Sequence, residues 1–254
     1  MSEKDPIFER LRNTISQIKG HVHILEQCVS VEAQMRYFKF SELLRKQNKP
    51  PRPLTDEQCL ELYEMLYEPE RTEHEKKYSL LMLATSKNVK AFRLLQEFVE
   101  NDPDIALREW ASLALMDCQI SLESELSGEQ QIYISTGLGG KDEKLRFSIL
   151  FLIANKQTVF EDYQKHVIER ESADIFEQNN CELETMQIGD RFVLLKLLIP
   201  FRADIPQILG KVIVECNQYG NFLSTTYTVT NVQELTEKDA YEILNQDEDN
   251  NGNH

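Results

Sequence analysis

The glycine-rich stretch from Tyr133 to Phe147, YISTGLGGKDEKLRF, contains residues of the type that bind phosphate. A phosphate loop places its glycines between a strand and a helix, so that backbone N–H groups at the helix N-terminus converge on the anion. Here the flanking segments QQIYISTGL and KLRFSILFLIAN predict strands on both sides, and Lys141 is followed by Asp142 rather than Ser or Thr. We therefore predict a strand connection in which glycine supplies positive φ, with a binding loop at a sheet edge as the alternative.

Histidine and cysteine side chains raise the question of a metal site. His21, His23 and Cys28 are close in sequence, but residues two apart on a helix point in different directions, so the three do not share a face. The five cysteines are odd in number and lack the paired spacings of zinc sites and disulfide frameworks. We expect reduced thiols, no metal and no cofactor. No residue has the sequence context of a catalytic nucleophile, so we predict no catalytic residue.

A basic stretch with interleaved aromatic residues, Met35 to Pro53, is a candidate binding surface. It suits RNA, an acidic membrane surface or an acidic partner, and it equally suits a structural role against the protein's own acidic half. The only tryptophan, Trp110, is a second candidate, since an exposed indole is a frequent interface anchor; core packing is the favoured interpretation. The predicted partner-binding residues are Arg36, Lys39, Arg45, Lys46, Lys49, Arg52 and Trp110.

The charge distribution limits the partners that this surface can have. The formal net charge is −15, which disfavours nucleic acid because a polyanion repels another polyanion. Residues 1–53 nevertheless contain 10 Lys and Arg against 6 Asp and Glu. We therefore treat nucleic acid as a possible but disfavoured partner of the basic N-terminal segment.

Helices are predicted to position the basic stretch. From Asp5 to about Gln47, apolar residues recur every three or four positions, which is typical of one amphipathic helix or of two in succession. The proline-rich KQNKPPRP then ends helical structure. Thr55 followed by Gln58 predicts a capping box at the start of the next helix.

A repeat follows in the same half of the chain. KYSLLMLA, Lys77 to Ala84, and REWASLAL, Arg108 to Leu115, align at an offset of 31 residues. The segment DPDIALREWASLALMD resembles the repeat unit of HEAT-like α-solenoids, with an Asp-Pro turn, an early basic residue and small or leucine residues that pack inward. The resemblance covers about residues 55–125 and implies stacked helix pairs; a plain helical bundle is the alternative.

Strands are predicted in the C-terminal half. From Leu145 the order is strand, helix, strand, strand, helix, strand, which resembles the ferredoxin-like split βαβ arrangement, with QQIYISTGL as an extra strand in front. The fold class is therefore α+β, with an all-α HEAT-like half and a ferredoxin-like α/β sandwich. The predicted regions are 1–49 for the N-terminal helix or helices, 50–127 for the helical repeats, 128–245 for the α/β domain and 246–254 for a disordered tail.

These features favour a binding protein rather than an enzyme. No apolar run approaches the ~20 residues that span a bilayer, and no secretory signal is present, so we expect a cytoplasmic protein. The first hypothesis is a non-enzymatic adaptor that holds a protein partner on its helical repeats, with homo-oligomer formation as an open option. The alternatives are an RNA- or ribosome-associated factor that uses residues 36–52, with stacking on Phe222 and Tyr227, and a regulatory domain that binds a small ligand.

Overall fold

Helices fill the first half of the chain and an antiparallel sheet the second in the computed structural model, which describes residues 21–47, 53–101, 104–128 and 131–251. The α+β prediction is confirmed at this level. The chain divides into two compact units, which we call the helical unit (described residues up to Gly137) and the sheet unit (Leu138 onward). Among the described residues, no helix is long and apolar enough to cross a membrane.

The helical unit has five described helices and two short strands. Its elements are β1 (His21–Ile24), α1 (Val31–Gln47), α2 (Asp56–Glu64), α3 (Glu73–Thr85), α4 (Val89–Glu100), α5 (Ile105–Ser127) and β2 (Gln131–Ile134).

Side-chain caps fix where two of these helices begin. The predicted capping box at α2 is confirmed: Thr55 Oγ1 accepts a hydrogen bond from the Gln58 amide at 3.3 Å, and Gln58 Oε1 accepts from the Thr55 amide at 3.1 Å. Thr72 and Glu75 form the same arrangement at α3. Each cap satisfies N–H groups that the helix itself leaves unpaired, and contributes about 1 kcal/mol.

The core of the helical unit is built around α5, which packs against α3, α4 and α1. The two aligned segments of the repeat lie on α3 and α5, so the similarity between them reflects leucine and alanine positions that are buried in the same core. Burying each such leucine contributes about 1.5–3 kcal/mol relative to its exposed state. The fully buried large side chains of this core are Tyr37, Leu80, Leu81, Leu83, Leu95 and Leu113.

Two sequence predictions are wrong at the ends of the helical unit. Residues 21–24 form strand β1 rather than part of a long N-terminal helix, because alternating HVHI pairs in parallel with β2 in the register His21↔Gln131 to Ile24↔Ile134. Consequently β2 belongs to the helical unit and is not an extra strand of the C-terminal sheet. The predicted helical positions 5–20 lie outside the described residues.

The sheet unit has the predicted strand and helix order. Its elements are β3 (Gly140–Lys141), β4 (Lys144–Ile153), α6 (Asp162–Gln178), β5 (Glu182–Ile188), β6 (Phe192–Pro200), α7 (Ile205–Asn217), β7 (Leu223–Thr230) and α8 (Glu237–Asn251). The sheet is antiparallel: β4 pairs with β6, β7 and the short β3, and β6 also pairs with β5. Helix α8 continues to Asn251, past the limit predicted at residue 245.

The glycine stretch forms the predicted strand connection. Strand β3 and the start of β4 make a hairpin in which Gly140 pairs with Leu145 and Lys141 with Lys144. Positive φ occurs at Gly139 (66°) and at Asp142 (52°). The stretch joins two strands, so its backbone N–H groups do not converge at a helix N-terminus as a phosphate loop requires.

Different helices pack against the two faces of the sheet. Side chains such as Phe147, Ile149 and Phe151 of β4 are buried on the face of α6 and α7, which contact β5 and β7. On the opposite face, α8 covers only one end, where Ala240 and Leu244 pack on an apolar cluster of β4 and β6. Beyond that cluster, the face carries Ser148, Lys196 and Arg146 beside the buried Leu198.

Candidate functional site

A cleft of about 460 Å³ lies in the helical unit among α1, α3 and α5. It is lined by Arg36, Phe40, Glu73, His74, Lys77 and Trp110. Aromatic rings and charged groups meet there within one concave surface.

Helical spacing explains which side chains reach the cleft. Arg36 and Phe40 are four residues apart on α1, and Glu73 and Lys77 are four apart on α3, so each pair lies on one side of its helix. Trp110 enters from the first half of α5. Three separate helices therefore supply the lining, and their packing brings it together.

Trp110 forms the floor of the cleft. Its side chain is only 7% exposed, and its ring meets Tyr37 at 5.4 Å and Phe40 at 5.9 Å between centroids. Lys77 Nζ lies 4.9 Å from the centroid of the indole ring, within the range of a cation–π interaction. The Phe40 ring also contacts the exposed His74 at 5.4 Å.

The charges of the cleft are arranged as helical ion pairs. Lys77 is bonded to Glu73, and Arg36 to Glu32 at 2.5 Å, each one helical turn earlier. The hydrogen bond and charge of Lys77 hold the pKa of Glu73 below its ordinary value, with a smaller contribution from Arg36. Glu73 is thus an ionised acceptor at neutral pH. The Arg36 side chain is 68% exposed at the rim, where a ligand can replace Glu32 at little cost.

The structure brings together two of the seven predicted partner-binding residues, Arg36 and Trp110. The predicted core packing of Trp110 matches its burial. Lys39 and Lys46 are exposed elsewhere on α1, and Lys46 is paired with Glu42 at 2.6 Å. Arg45 is also in α1, while Lys49 and Arg52 lie outside the described residues.

Sequence reasoning missed four lining residues, Phe40, Glu73, His74 and Lys77. The spacing of Glu73 and Lys77 was a usable signal for an ion pair on a helix. Nothing in the local pattern, however, indicated that this pair would face α1 and α5. That convergence depends on the packing of the three helices.

A second depression, of about 430 Å³, lies on the open face of the sheet unit next to α8. Its polar side chains bond to the segment that leads into α8. Ser148 Oγ accepts from the Leu235 amide at 2.9 Å, Lys196 pairs with Glu234 at 2.8 Å, and Gln187 donates to Glu237. These groups fasten the C-terminal segment to the sheet.

A strong ion pair lies beside this depression. Arg146 donates to both carboxylate oxygens of Glu184, at 2.6 and 2.8 Å, and to the Leu138 carbonyl at 2.7 Å. The hydrogen bond from Arg146 lowers the pKa of Glu184. Both side chains are mostly buried, so the pair is screened less than surface pairs.

The sheet does not present the aromatic platform expected for RNA. Phe222 is buried against Phe160, with ring centroids 6.2 Å apart. Tyr227 packs on Phe151, which belongs to the face covered by α6 and α7. Phe222 directly precedes β7 and is buried, and the position of Tyr227 on β7 points its ring away from the open face.

The side chain of His23 is engaged in contacts within the helical unit. His23 stacks on Tyr133 at 4.7 Å, and its Nε2 lies 2.9 Å from Gln131 Oε1 and 3.0 Å from Glu123 Oε2, which joins β1 to β2 and α5. None of the five cysteines is part of a disulfide, and burial raises the pKa of Cys118 to about 12. Among the residues that the structure describes, no three His, Cys, Asp or Glu side chains are grouped to hold a metal ion.

Comparison with known proteins gives partial structural matches. No family model matches the chain, and no curated protein matches it. One similar solved structure is named a "putative transposase", from Deinococcus radiodurans R1, with 19% identity, a TM-score of 0.37 and coverage of 42% of this chain and 93% of that chain. Another is a REP-associated tyrosine transposase bound to a REP hairpin, with 7% identity, a TM-score of 0.33 and coverage of 40% and 63%.

These matches contradict part of the sequence-based interpretation. Both neighbours are named as transposases, which are enzymes, and one is bound to a REP hairpin. Three predictions conflict with these names: that the protein is a non-enzymatic adaptor, that its partner is a protein, and that nucleic acid is a disfavoured partner. We withdraw these predictions. Because both TM-scores are low and each match covers about two fifths of the chain, a function for this protein has to be argued from its own residues.

Proposed function

We propose that the helical unit binds single-stranded nucleic acid and takes one unpaired base into the cleft around Trp110. The observation that carries the proposal is the meeting of three aromatic side chains, Phe40, His74 and Trp110, with two cations, Arg36 and Lys77, in one depression. Base stacking on aromatic side chains contributes about 1–3 kcal/mol per base, and nearby cations neutralise the flanking phosphates.

The shape of the cleft favours an unpaired base over a duplex. Trp110 is recessed at the floor of the cleft, so a base has to leave its own stack to reach it. A volume of about 460 Å³ is in the usual range of small-ligand sites and suits one nucleotide. Duplex DNA presents phosphates and groove edges to such a surface, and its bases remain stacked inside.

The acidic net charge is compatible with this mode of binding. Arg36 at the rim and Lys77 at the floor are the cations nearest the cleft, while the excess acidic charge is spread over the whole chain. With one or two phosphate contacts, the logarithm of the binding constant falls with the logarithm of salt concentration with a slope of about −0.7 to −1.4. Stacking then supplies most of the affinity, and the salt dependence is shallow.

Trp110 provides a direct test, because it is the only tryptophan of the chain. Intrinsic fluorescence would be followed while a short single-stranded oligonucleotide is added, and then the same sequence as a duplex. We expect saturable quenching by the single strand, slightly weaker at higher salt, and none by the duplex. No saturable change with single strands, or an equal change with the duplex, would overturn the proposal.

A matched pair of phenylalanine variants isolates the role of the ring. Phe40→Leu keeps an apolar side chain in the cleft and removes the aromatic wall, so we expect affinity to fall about tenfold. Phe38→Leu changes an exposed phenylalanine on the same helix that does not line the cleft, and should bind as the unmodified protein does. Equal effects of the two variants would argue against stacking on Phe40.

The finer architectural predictions remain part of this proposal. The strand order β7-β4-β6-β5, with both helical connections crossing one strand, supports a ferredoxin-like sandwich in the sheet unit. Stacked HEAT-like pairs over 50–127, and a cytoplasmic location, stay predictions from sequence. Small-angle scattering of the helical region would distinguish an extended solenoid from a globular bundle.

A further inference from the structure

The hydrogen-bonding groups of the cleft suggest which base it takes. We infer that the cleft prefers guanine, with the Glu73 carboxylate accepting hydrogen bonds from the guanine N1–H and 2-amino groups. This inference rests on the proposed binding of an unpaired base, and it concerns the one acidic side chain that lines the cleft.

Glu73 has acceptor capacity available for a ligand. Its side chain is 57% exposed, and the ion pair with Lys77 is made through Oε1. An ionised carboxylate offers about four lone-pair positions on its two oxygens, so the bond to Lys77 leaves room for further donors. The carboxylate is acceptor-only, and it therefore selects a base edge that is rich in donors.

The Watson–Crick edges of the bases differ in the number and order of their hydrogen-bond donors. Guanine presents two adjacent donors, N1–H and the 2-amino group, which match the two oxygens of one carboxylate. Adenine and cytosine present one amino donor beside a ring-nitrogen acceptor, and thymine and uracil present one N–H between two carbonyls. A ring-nitrogen acceptor or a carbonyl oxygen facing Glu73 would be left unpaired against a negative charge, which is costly.

Lys77 completes the match to guanine. Its ammonium group is bonded to Glu73 and has three donors, so a donor stands directly beside the carboxylate acceptor. Along the guanine edge, the N1–H donor is followed by the O6 acceptor. Glu73 can therefore accept from N1–H while the adjacent Lys77 donates to O6. Phe40 then stacks on the base, Trp110 contacts the base from the floor of the cleft, and Arg36 at the rim faces a phosphate.

The test uses oligonucleotides that differ at one position. Trp110 quenching would be measured with single strands that carry guanosine, inosine or adenosine in otherwise identical sequences. Inosine lacks only the 2-amino group, so we expect it to bind about tenfold more weakly than guanosine. Glu73→Gln should remove the difference between guanosine and inosine, because an amide offers one acceptor and one donor. The matched Glu32→Gln variant should keep the difference, since Glu32 pairs with Arg36 and does not line the cleft.

The outcomes separate this inference from the proposed function. Equal affinity for guanosine and inosine in the unmodified protein, with saturable binding of both, would overturn the guanine preference and leave single-strand binding in place. A preference that survives Glu73→Gln would show that another group reads the base, and would also overturn the inference. Absence of binding by every oligonucleotide would overturn the proposed function itself.

Discussion

The cleft of the helical unit and the depression of the sheet unit are similar in size and differ in what their side chains do. Each has a lysine–glutamate pair in its lining, Lys77 with Glu73 in the first and Lys196 with Glu234 in the second. The depression is lined by hydroxyl, amide, charged and leucine side chains, and its polar groups hold the segment before α8 on the sheet. In the cleft, three of the six lining side chains are aromatic: Phe40, His74 and Trp110.

The difference shows that concavity and charge alone do not make a binding site. In the depression, Lys196 and Ser148 are already used by the fold, so a ligand would have to displace the chain's own segment. In the cleft, the bonds of Arg36 and Lys77 run to acids one turn away on the same helix, and such pairs are weak. A ligand there gains an aromatic surface and displaces little.

The largest effect should come from the core that supports the cleft. Leu113 of α5 is fully buried, so Leu113→Ala leaves a cavity and should lower the free energy of unfolding by about 3 kcal/mol. Leu126 on the same helix is 82% exposed, and Leu126→Ala should change the free energy of unfolding by less than about 0.5 kcal/mol. Urea unfolding followed by Trp110 fluorescence measures both. A similar loss in the two variants would mean that α5 is not the packed centre of this unit.

The next largest loss of stability should come from a glycine substitution in the sheet unit. A Cβ atom at Gly189 would lie 2.5 Å from the ring of Phe192, which is buried under α8. Gly189→Ala should therefore lower the free energy of unfolding by about 2 kcal/mol. A Cβ atom at Gly210 in α7 would have no atom within 4 Å. Gly210→Ala should therefore raise the free energy of unfolding by about 0.5–1 kcal/mol. Calorimetry of both variants checks the opposite signs; destabilisation by both would contradict the geometry.

The two lysine–glutamate pairs give a direct comparison of the concave surfaces. Lys77→Met removes a phosphate or carbonyl donor from the cleft while keeping an apolar stem over Trp110, and should weaken oligonucleotide binding about tenfold. Lys196→Met makes the same change in the depression and should leave binding unchanged. Trp110 quenching measures both affinities. An equal loss in the two variants would place part of the interface on the sheet unit.

The smallest effect should be the acid dependence of the Arg146–Glu184 pair. The pKa of Glu184 is lowered in the folded protein, so its stabilising contribution is present above the unfolded-state pKa and is lost as pH falls through the folded-state pKa. As the pH falls below the ordinary titration range of a glutamate carboxyl, the unmodified protein should lose more of its free energy of unfolding than Glu184→Gln does, by about 0.5 kcal/mol because solvent screens part of the interaction. Urea titrations at several pH values test this; parallel pH curves would show that the pair contributes no net stability.

Sequence patterns identified the elements of the sheet unit well, because its strands alternate in polarity or are continuously apolar and its helices have clear periods. The apolar run VLLKLLI, for example, is the central strand β6. Strand β1 was missed because four residues, HVHI, fit a helical stripe as well as an alternating strand, and its partner β2 is more than a hundred residues away. Long-range pairing of this kind leaves no local signal.

The sequence identified only part of the candidate site, again because contacts between distant segments leave no local signal. Arg36 and Trp110 stood out by residue type, one in a basic stretch and one as a single indole. Glu73, His74 and Lys77 looked like an ordinary charged helix start. Only the packing of α1, α3 and α5 places them around Trp110, and sequence spacing within each helix does not encode that packing.

The pairing of β1 with β2 has a consequence for how the protein is made. Residues 23 and 131 contact each other although 108 positions separate them. At about 5–20 residues per second of translation, β1 waits roughly 5–20 s for its partner, while the neighbouring helices can form contacts as they emerge. Closure of the helical unit is therefore a late event in biosynthesis, and until then β1 presents an open strand edge to other chains.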